Sequence, residues 1–377
     1  MARSCRFDFI MRVLMQIRAD GEIVGGGDVQ QMRETTAALA ALGVEVVMEP
    51  ALSAAYDEFD LVHLFNTTRI NETWQQYRAA RRAGRPVVVS TIWHSIAEMR
   101  RYFQWHHGVP VFPIWTYSAL REAYYARRSG FPLATRSVWG YRRCQREVVA
   151  GADAVLPNSA AEMSFLETEL EVRARRAFVI PNGFNVAQAV GNYDSAVPRR
   201  GVVCAGRIEP RKNPCRVIAA FQQLNRLDMP IDFYGALNQG HAKYVAAFCR
   251  ALVPGRIEYR GKVDSAALYR AFAGAEVAVL ASYYETTGLV GLEALACGAK
   301  VVISDSPYTR EYFRDAAFYC DPYSEDSIAQ ALRRALAAPR PPRPAWLDDF
   351  TWDQAGRLTL EAYRAVIEGG ARRTARG

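Results

Sequence analysis

The chain has 377 residues, 50% hydrophobic and 23% charged, with a formal net charge of +8. That length holds two domains of ordinary size, and the composition is that of a soluble globular protein, not a disordered or fibrous one. Seven cysteines without a C-x-x-C pair, no run near 18 apolar residues and four arginines among the first 20 residues argue against a zinc site and a secretory signal, so the expectation is a cytoplasmic protein in a reducing compartment.

In chain order, Val13 to Ile17 reads as a first buried strand. It is followed by Gly25-Gly26-Gly27 and a helix over Asp28 to Leu42 that Gly43 ends. Asp60 to Phe65 and Pro86 to Thr91 read as the third and fourth strands. His94 follows the fourth at its carboxyl end, where ligands of open α/β sheets gather. Gly151 to Leu166 and Val179 to Asn185 close the first half. The stretch Val186 to Arg200 is polar, aperiodic and contains Pro198, which makes it the expected domain boundary.

In the second half, Gly201 to Asn213 (GVVCAGRIEPRKN) is a strand, then a glycine and two cations, Arg207 and Lys212, five positions apart. Val263 stands in a GKV turn after a strand at Ile257. Val277 to Leu280 is a short apolar run of the kind that forms a buried parallel strand. A Glu-Thr-Thr-Gly turn carrying Glu285 follows, with a helix predicted to begin near Thr287 and Thr286 or Thr287 as its cap. Gly288 lets a ligand approach the amides of Thr287 to Leu289, which have no partner inside the first turn, so an anion belongs there. Glu293 falls about two turns along, placing two carboxylates toward one cleft, and hydroxyl acceptors flanking an anion site suggest a sugar nucleotide. After Pro339 to Pro344 (PRPPRP) a helical pattern runs from Phe350, with Trp352, Leu358, Tyr363 and Val366 as buried positions and fraying expected after Gly369. Strands and helices alternate in both halves, which predicts an α/β protein with two doubly wound parallel sheets.

The pattern E-x7-E from Glu285 to Glu293, followed by A-x-x-x-G-x-x-V-V, resembles retaining glycosyltransferases of the GT4 family, and the G-R-x4-K element of Arg207 and Lys212 supports the likeness. The resemblance implies the GT-B fold: two Rossmann-like domains facing a central cleft, with residues 1–190 on the acceptor side, 198–345 binding the nucleotide sugar, and a helix in 346–377 crossing back to the first domain. It implies that Arg207 and Lys212 hold the donor diphosphate, that Glu285 meets the sugar hydroxyls and Glu293 the ribose, and that Gly26, Gly27 and the amides of Thr287, Gly288 and Leu289 approach the phosphates. By the same resemblance His94 touches the donor sugar and Val263 the base. The implied reaction moves a hexose-type sugar, with retention, from a UDP- or GDP-sugar to a hydroxyl of a glycan or polyprenyl-linked acceptor, in surface polysaccharide or glycoconjugate synthesis. No D-x-D element is present, so neither a metal nor another cofactor is expected. Thr286-Thr287 stands where many members have Pro or Ser then Phe, which leaves the sugar open; Asn185 stands where an Asp is more usual, a minor departure in a segment whose main role is chain routing. A GT-B epimerase and a non-catalytic membrane-associated binding protein are the alternatives.

Between Arg100 and Glu147 the chain has nine arginines against two acids, together with eleven aromatic residues that include Trp105, Tyr117, Tyr124 and Trp139. Arginine beside aromatic residues suits the surface of an anionic membrane and equally a pyrophosphate-linked acceptor; an ordinary packed insertion in an arginine-rich chain is the plainer reading. Arg127, Arg128, Arg142 and Arg143 are the cations expected to meet membrane or acceptor, so a peripheral place on the inner membrane face is the expectation. No nucleic-acid recognition motif accompanies the charge, and no nucleic-acid partner is expected.

Overall fold

Short runs of β-branched and aliphatic residues build two parallel sheets in this computed structural model, which describes residues 10–21, 26–107, 114–192, 198–226 and 228–374. In chain order the elements are β1 (Arg12–Gln16), α1 (Gly27–Ala41), β2 (Glu45–Met48), β3 (Leu61–Phe65), α2 (Ile70–Arg82), β4 (Val87–Ser90), α3 (Ile96–His107), α4 (Ile114–Ser129), α5 (Thr135–Trp139), α6 (Tyr141–Gly151), β5 (Ala154–Leu156) and α7 (Ala160–Leu170). They continue with α8 (Val186–Val190), β6 (Val202–Ala205), α9 (Pro214–Gln222), β7 (Ile231–Tyr234), α10 (Ala242–Arg250), β8 (Ile257–Gly261), α11 (Ser265–Gly274), β9 (Val277–Leu280) and α12 (Leu289–Ala296). The last are β10 (Lys300–Ser304), α13 (Pro307–Phe313), β11 (Ala317–Cys320), α14 (Glu325–Ala337) and α15 (Trp352–Thr374). Gly25 of the glycine run lies outside the described residues.

One unit comprises Met1–Ser95, Val111–Asn182 and Trp352–Gly377, the other Ile96–Pro110 and Gly183–Thr351. The first sheet has the order β2-β1-β3-β4-β5 and the second β11-β10-β9-β6-β7-β8, with every ladder parallel. Covered on both faces, the central strands have no polar face to show, which is why VAVL and VVCA are apolar throughout. The period-two alternation survives as a choice of core. Val277 and Val279 enter one apolar cluster with Val202, Cys204 and Val302, while Ala278 and Leu280 enter another with Val203, Ala205, Val301 and Ile303.

Helix α15 packs against α1 in the first unit, where Gly356 meets Ala38 so closely that a Cβ at Gly356 would stand 2.6 Å from the alanine methyl. Tyr363 and Val366 are buried as the periodicity predicts, whereas Trp352 and Leu358 are half-buried against the same core. The helix continues to Thr374, past the fraying expected after Gly369. Two boundaries also differ from expectation. The units divide between Asn182 and Gly183, and Val186–Val190 forms α8, seated near α12 by the Cys297 thiol on the Ala189 carbonyl at 3.5 Å. Residues 96–110, which lie within the expected first domain, group with the second unit, because Tyr102 of α3 joins a cluster with Tyr283 and Tyr323.

Candidate active site

Strand β6 ends at Ala205, and the chain turns through Gly206, whose φ of +152° needs a glycine. Gly235 at the end of β7 runs so close that a Cβ there would lie 2.0 Å from the Gly206 carbonyl oxygen. The loop is then pinned by Asn213, whose amide donates to the carbonyls of Ala281 (3.1 Å) and Pro322 (2.9 Å). This fixes Arg207 and Lys212 beside the carboxyl end of β9. Lys212 Nζ donates to Glu285 Oε2 at 2.5 Å, an ion pair between residues 73 apart in sequence. Burial lowers the lysine pKa and the facing Glu285 charge offsets only part of that. Arg207 remains half open, its side chain 52% exposed.

Sequence reasoning missed Glu209. It is buried, reaches Arg207 at 3.6 Å and Arg211 at 3.3 Å, and accepts from the Asn238 amide at 2.8 Å. Burial acts to raise its pKa, but Arg211 and Arg207 outweigh it, so the carboxyl is held below its ordinary value and fixes the two arginines. Its signal was present as the lone acid inside GRIEPRKN.

Helix α12 begins at Leu289, two residues later than predicted, and its cap is Gly288 with φ +74°, not a threonine. No side chain caps it, so neither Thr286 nor Thr287 takes that role. A methyl on Gly288 would press on Ile303 and Phe313 at 3.0 and 3.2 Å, so shape as well as backbone selects glycine. Instead of capping, Thr287 buries a hydroxyl with no hydrogen-bond partner among the described residues. A buried donor without a partner is costly in a native fold, and it stands beside first-turn amides that the helix cannot satisfy. Glu293, on the same helix, accepts from Tyr269 Oη at 3.1 Å. Burial pushes its pKa up to about 7, with the tyrosine hydrogen bond opposing. Val263 is half-buried in the loop between β8 and α11.

In the first unit, Gly26 (φ +139°) and Gly27 start α1. Arg18 fixes that start, donating to Asp28 at 2.7 Å and Asp20 at 2.6 Å, while Asn66 adds a bond to Asp28 at 3.0 Å. Burial acts to raise the Asp28 pKa, but the bonds and charge of Arg18 leave it lowered. His94 is half-buried just after β4, in a turn whose Ile92 takes a left-handed φ of +47°, unusual for a β-branched residue. Two residues that sequence reasoning missed hold this turn. Glu162 accepts from the Thr91 hydroxyl and from the backbone N–H of Trp93 (2.8 Å) and Asn158 (3.0 Å), and Glu169 accepts from Trp93 Nε1 (2.8 Å) and Ser95 Oγ (2.9 Å). The S-x-x-E spacing of Ser159 and Glu162 was the available signal. His63 is structural: it bonds Tyr363 Oη (2.7 Å) and Ser90 Oγ (2.9 Å), and burial pushes its pKa down to about 3.

The basic segment divides. Arg127, Arg128 and Arg143 are exposed in the first unit, near Leu120, Tyr124 and Trp139, which are 61%, 59% and 90% exposed. Arg142 is not a free cation: it pairs with Glu171 at 3.2 Å and donates to the Glu169 carbonyl at 2.7 Å. Trp105 belongs to the second unit, edge-on to Tyr323. No helix among the described residues is long and apolar enough to cross a membrane.

Residues 193–346, which carry Arg207, Lys212 and the E-x7-E element, match the model of the family described as glycosyl transferases group 1. That segment is similar to this family. Among similar proteins, the O-antigen chain mannosyltransferase B of Escherichia coli is 31% identical over 172 residues, covering 43% of this chain and 45% of that protein. The D-inositol 3-phosphate glycosyltransferase of Salinispora tropica is 29% identical over 260 residues, covering 59% of this chain and 53% of that protein. The chain therefore spans about half the length of the curated relatives it matches. Among solved structures, a glycosyltransferase from Rickettsia africae superposes with a TM-score of 0.68 at 14% identity, covering 95% of this chain and 99% of that one. Anabaena HepE in complex with UDP-glucose superposes with a TM-score of 0.59 at 15% identity, covering 97% and 100%. At such identities the likeness establishes the fold, which is GT-B.

Proposed function

We propose that the chain is a retaining, metal-independent glycosyltransferase that moves a hexose-type sugar from a UDP- or GDP-sugar to a hydroxyl of a glycan or lipid-linked acceptor. The observation that carries this reading is the Lys212–Glu285 pair, which sets a cation and a hydroxyl acceptor side by side at the open start of α12. The leaving diphosphate gains negative charge as its bond to the anomeric carbon breaks, and preorganised cations and amides stabilise that charge best where water is excluded. Arg207, Lys212 and the amides of Thr287, Gly288 and Leu289 fit that task without a metal or other cofactor. Glu285 takes sugar hydroxyls, Glu293 the ribose, and Val263 the base. No group in this set is placed as a covalent nucleophile. The acceptor oxygen attacks on the face the diphosphate leaves, and its proton passes to the departing phosphate oxygen. The relatives' names support the class: one is a mannosyltransferase of O-antigen chains, and HepE is described with UDP-glucose.

Nucleoside diphosphate release from a panel of UDP-, GDP- and dTDP-sugars, with crude membrane lipid as acceptor, tests this. One donor should release its nucleotide, and Lys212→Ala should lower turnover about 10²- to 10³-fold with the fold intact. Near-normal turnover in that variant would refute the role of Lys212, and silence across the panel without nucleotide binding would refute the enzyme. His94→Ala should lower turnover while leaving nucleotide affinity unchanged.

The acceptor reading extends to a surface. Trp139, Leu120 and Tyr124 with Arg127, Arg128 and Arg143 form an exposed apolar and cationic set on the first unit that suits an anionic membrane, with cations on headgroup phosphates and rings at headgroup level. This supports peripheral docking at the inner membrane face during surface polysaccharide or glycoconjugate synthesis.

A further inference from the structure

A cavity of about 420 Å³ lies at the carboxyl ends of β9, β10 and β11. Of the donor-site residues above, only Glu285 lines it. Its size falls in the range of small-molecule pockets, roughly 300–1,000 Å³. Its lining is rich in carboxylates, Glu98, Glu285, Asp305 and Asp321 with Arg101, and three of them are held by Lys212, Arg310 and Arg101.

The walls say more. Tyr323 is packed by Tyr283 (ring centroids 4.8 Å apart) and covered by the Arg101 guanidinium at 3.9 Å, so its ring cannot swing away. Its hydroxyl is buried and has no hydrogen-bond partner among the described residues, in a side chain only 9% exposed. Arg101 also pairs with Asp321 at 3.3 Å, and Asp321 accepts from the Tyr323 backbone N–H at 3.0 Å, so the carboxylate is fixed as well. Arg310 holds Asp305 through two bonds of 2.5 and 2.7 Å. Oriented carboxylates keep lone pairs for further donors, an orphaned phenol needs a partner, and flat rings suit the apolar face of a pyranose.

We propose that this cavity is a saccharide subsite for the acceptor glycan, which places acceptor recognition partly in the second unit. The proposal rests on the glycosyltransferase reading, and Glu285, common to both sites, sets the acceptor sugar next to the donor. Hydroxyl-rich ligands, which bring donors to oriented carboxylates, fit it better than phosphates, which bring none.

Titration of the whole protein, saturated with UDP or GDP, with methyl glycosides of glucose, galactose, mannose, rhamnose and N-acetylglucosamine tests it by saturation-transfer NMR. At least one glycoside should bind, and Tyr323→Phe, which removes one oxygen and keeps the ring, should weaken it about tenfold, as loss of one such hydrogen bond predicts. Asp305→Asn should weaken it as well, with nucleotide affinity unchanged in both variants. Absence of binding across the panel, or equal binding by both variants, would overturn the subsite. Displacement of the glycoside by intact nucleotide sugar but not by nucleotide would return the cavity to the donor sugar and also overturn it. Failure of UDP and GDP to bind in the same samples would instead count against the donor site, so the two readings fail separately.

Discussion

Both units gather polar side chains at the carboxyl ends of parallel strands, and they use them differently. In the first, charge is spent on holding loops: Arg18 joins Asp20 to Asp28, and Glu162 and Glu169 tie the turn around His94 to α7. In the second, Arg207 stays half open, Lys212 and Glu285 face each other at the strand ends, and α12 starts with no side-chain cap and an unpartnered Thr287 hydroxyl. A loop whose amides and charges are all satisfied internally is a positioned scaffold, whereas one with unmet donors is built for something else to complete it. On the function proposed above, the unmet donors of the second unit are the ones an anion would complete.

The largest expected effect on stability breaks the first half of that contrast. Glu162 is fully buried and accepts from Thr91, Trp93 and Asn158. Glu162→Ala strands those donors and should cost about 3 kcal/mol in urea unfolding, since each buried group left unsatisfied costs about 1–3 kcal/mol. Nucleotide affinity should not change. A loss under about 1 kcal/mol would mean that the turn holds without its carboxylate.

The second unit's site was the more legible of the two, and the reason is local. Arg207, Lys212, Glu285 and Glu293 each sit within a few residues of a strand end or helix start, so local sequence was enough to put them on those elements. The start of α12 was misread because a threonine before an apolar run signals a cap, whereas here the left-handed Gly288 begins the helix and Thr287 turns inward. Glu162 and Glu169 act on a turn some seventy residues earlier, a pairing that only the fold supplies. The grouping of α3 with the second unit was hidden for the same reason, since nothing near Tyr102 in sequence announces Tyr283 or Tyr323. Composition likewise marked the arginines of residues 100–147 as one set; contacts divide them.

A smaller effect sharpens the second half of the contrast. Burial raises the Glu293 carboxyl to about 7, against 4.5 for the unperturbed group. In that window the folded state keeps the proton that the unfolded chain has released, so the folded state binds more protons and stability falls as pH rises from 4.5 to 7. Below the window both states are protonated, and above it both are ionised. With a discount for partial exposure, Glu293→Gln should remove about 2 kcal/mol of this slope. Parallel unfolding curves for wild type and variant across the window would show that Glu293 ionises normally and that its site is wetter than its burial implies.

The smallest effect separates two neighbouring arginines. Arg142 is committed to Glu171 and the Glu169 carbonyl, whereas Arg143 is exposed. A basic side chain near an anionic bilayer contributes about 1 kcal/mol. Arg143→Ala should therefore weaken co-sedimentation with phosphatidylserine-containing liposomes about fivefold, the equivalent of that energy. Arg142→Ala should leave liposome binding nearly unchanged and leave Glu171 to Arg146 alone, with its pKa, held down by the hydrogen bond to Arg142 and the charges of Arg142 and Arg146, rising toward the ordinary value. The pair controls for charge, since each substitution removes one cation from the same helix. Equal losses would mean that net charge alone draws the protein to lipid, and no loss in either would remove the membrane surface from the reading and leave the exposed Trp139, Leu120 and Tyr124 to some other partner.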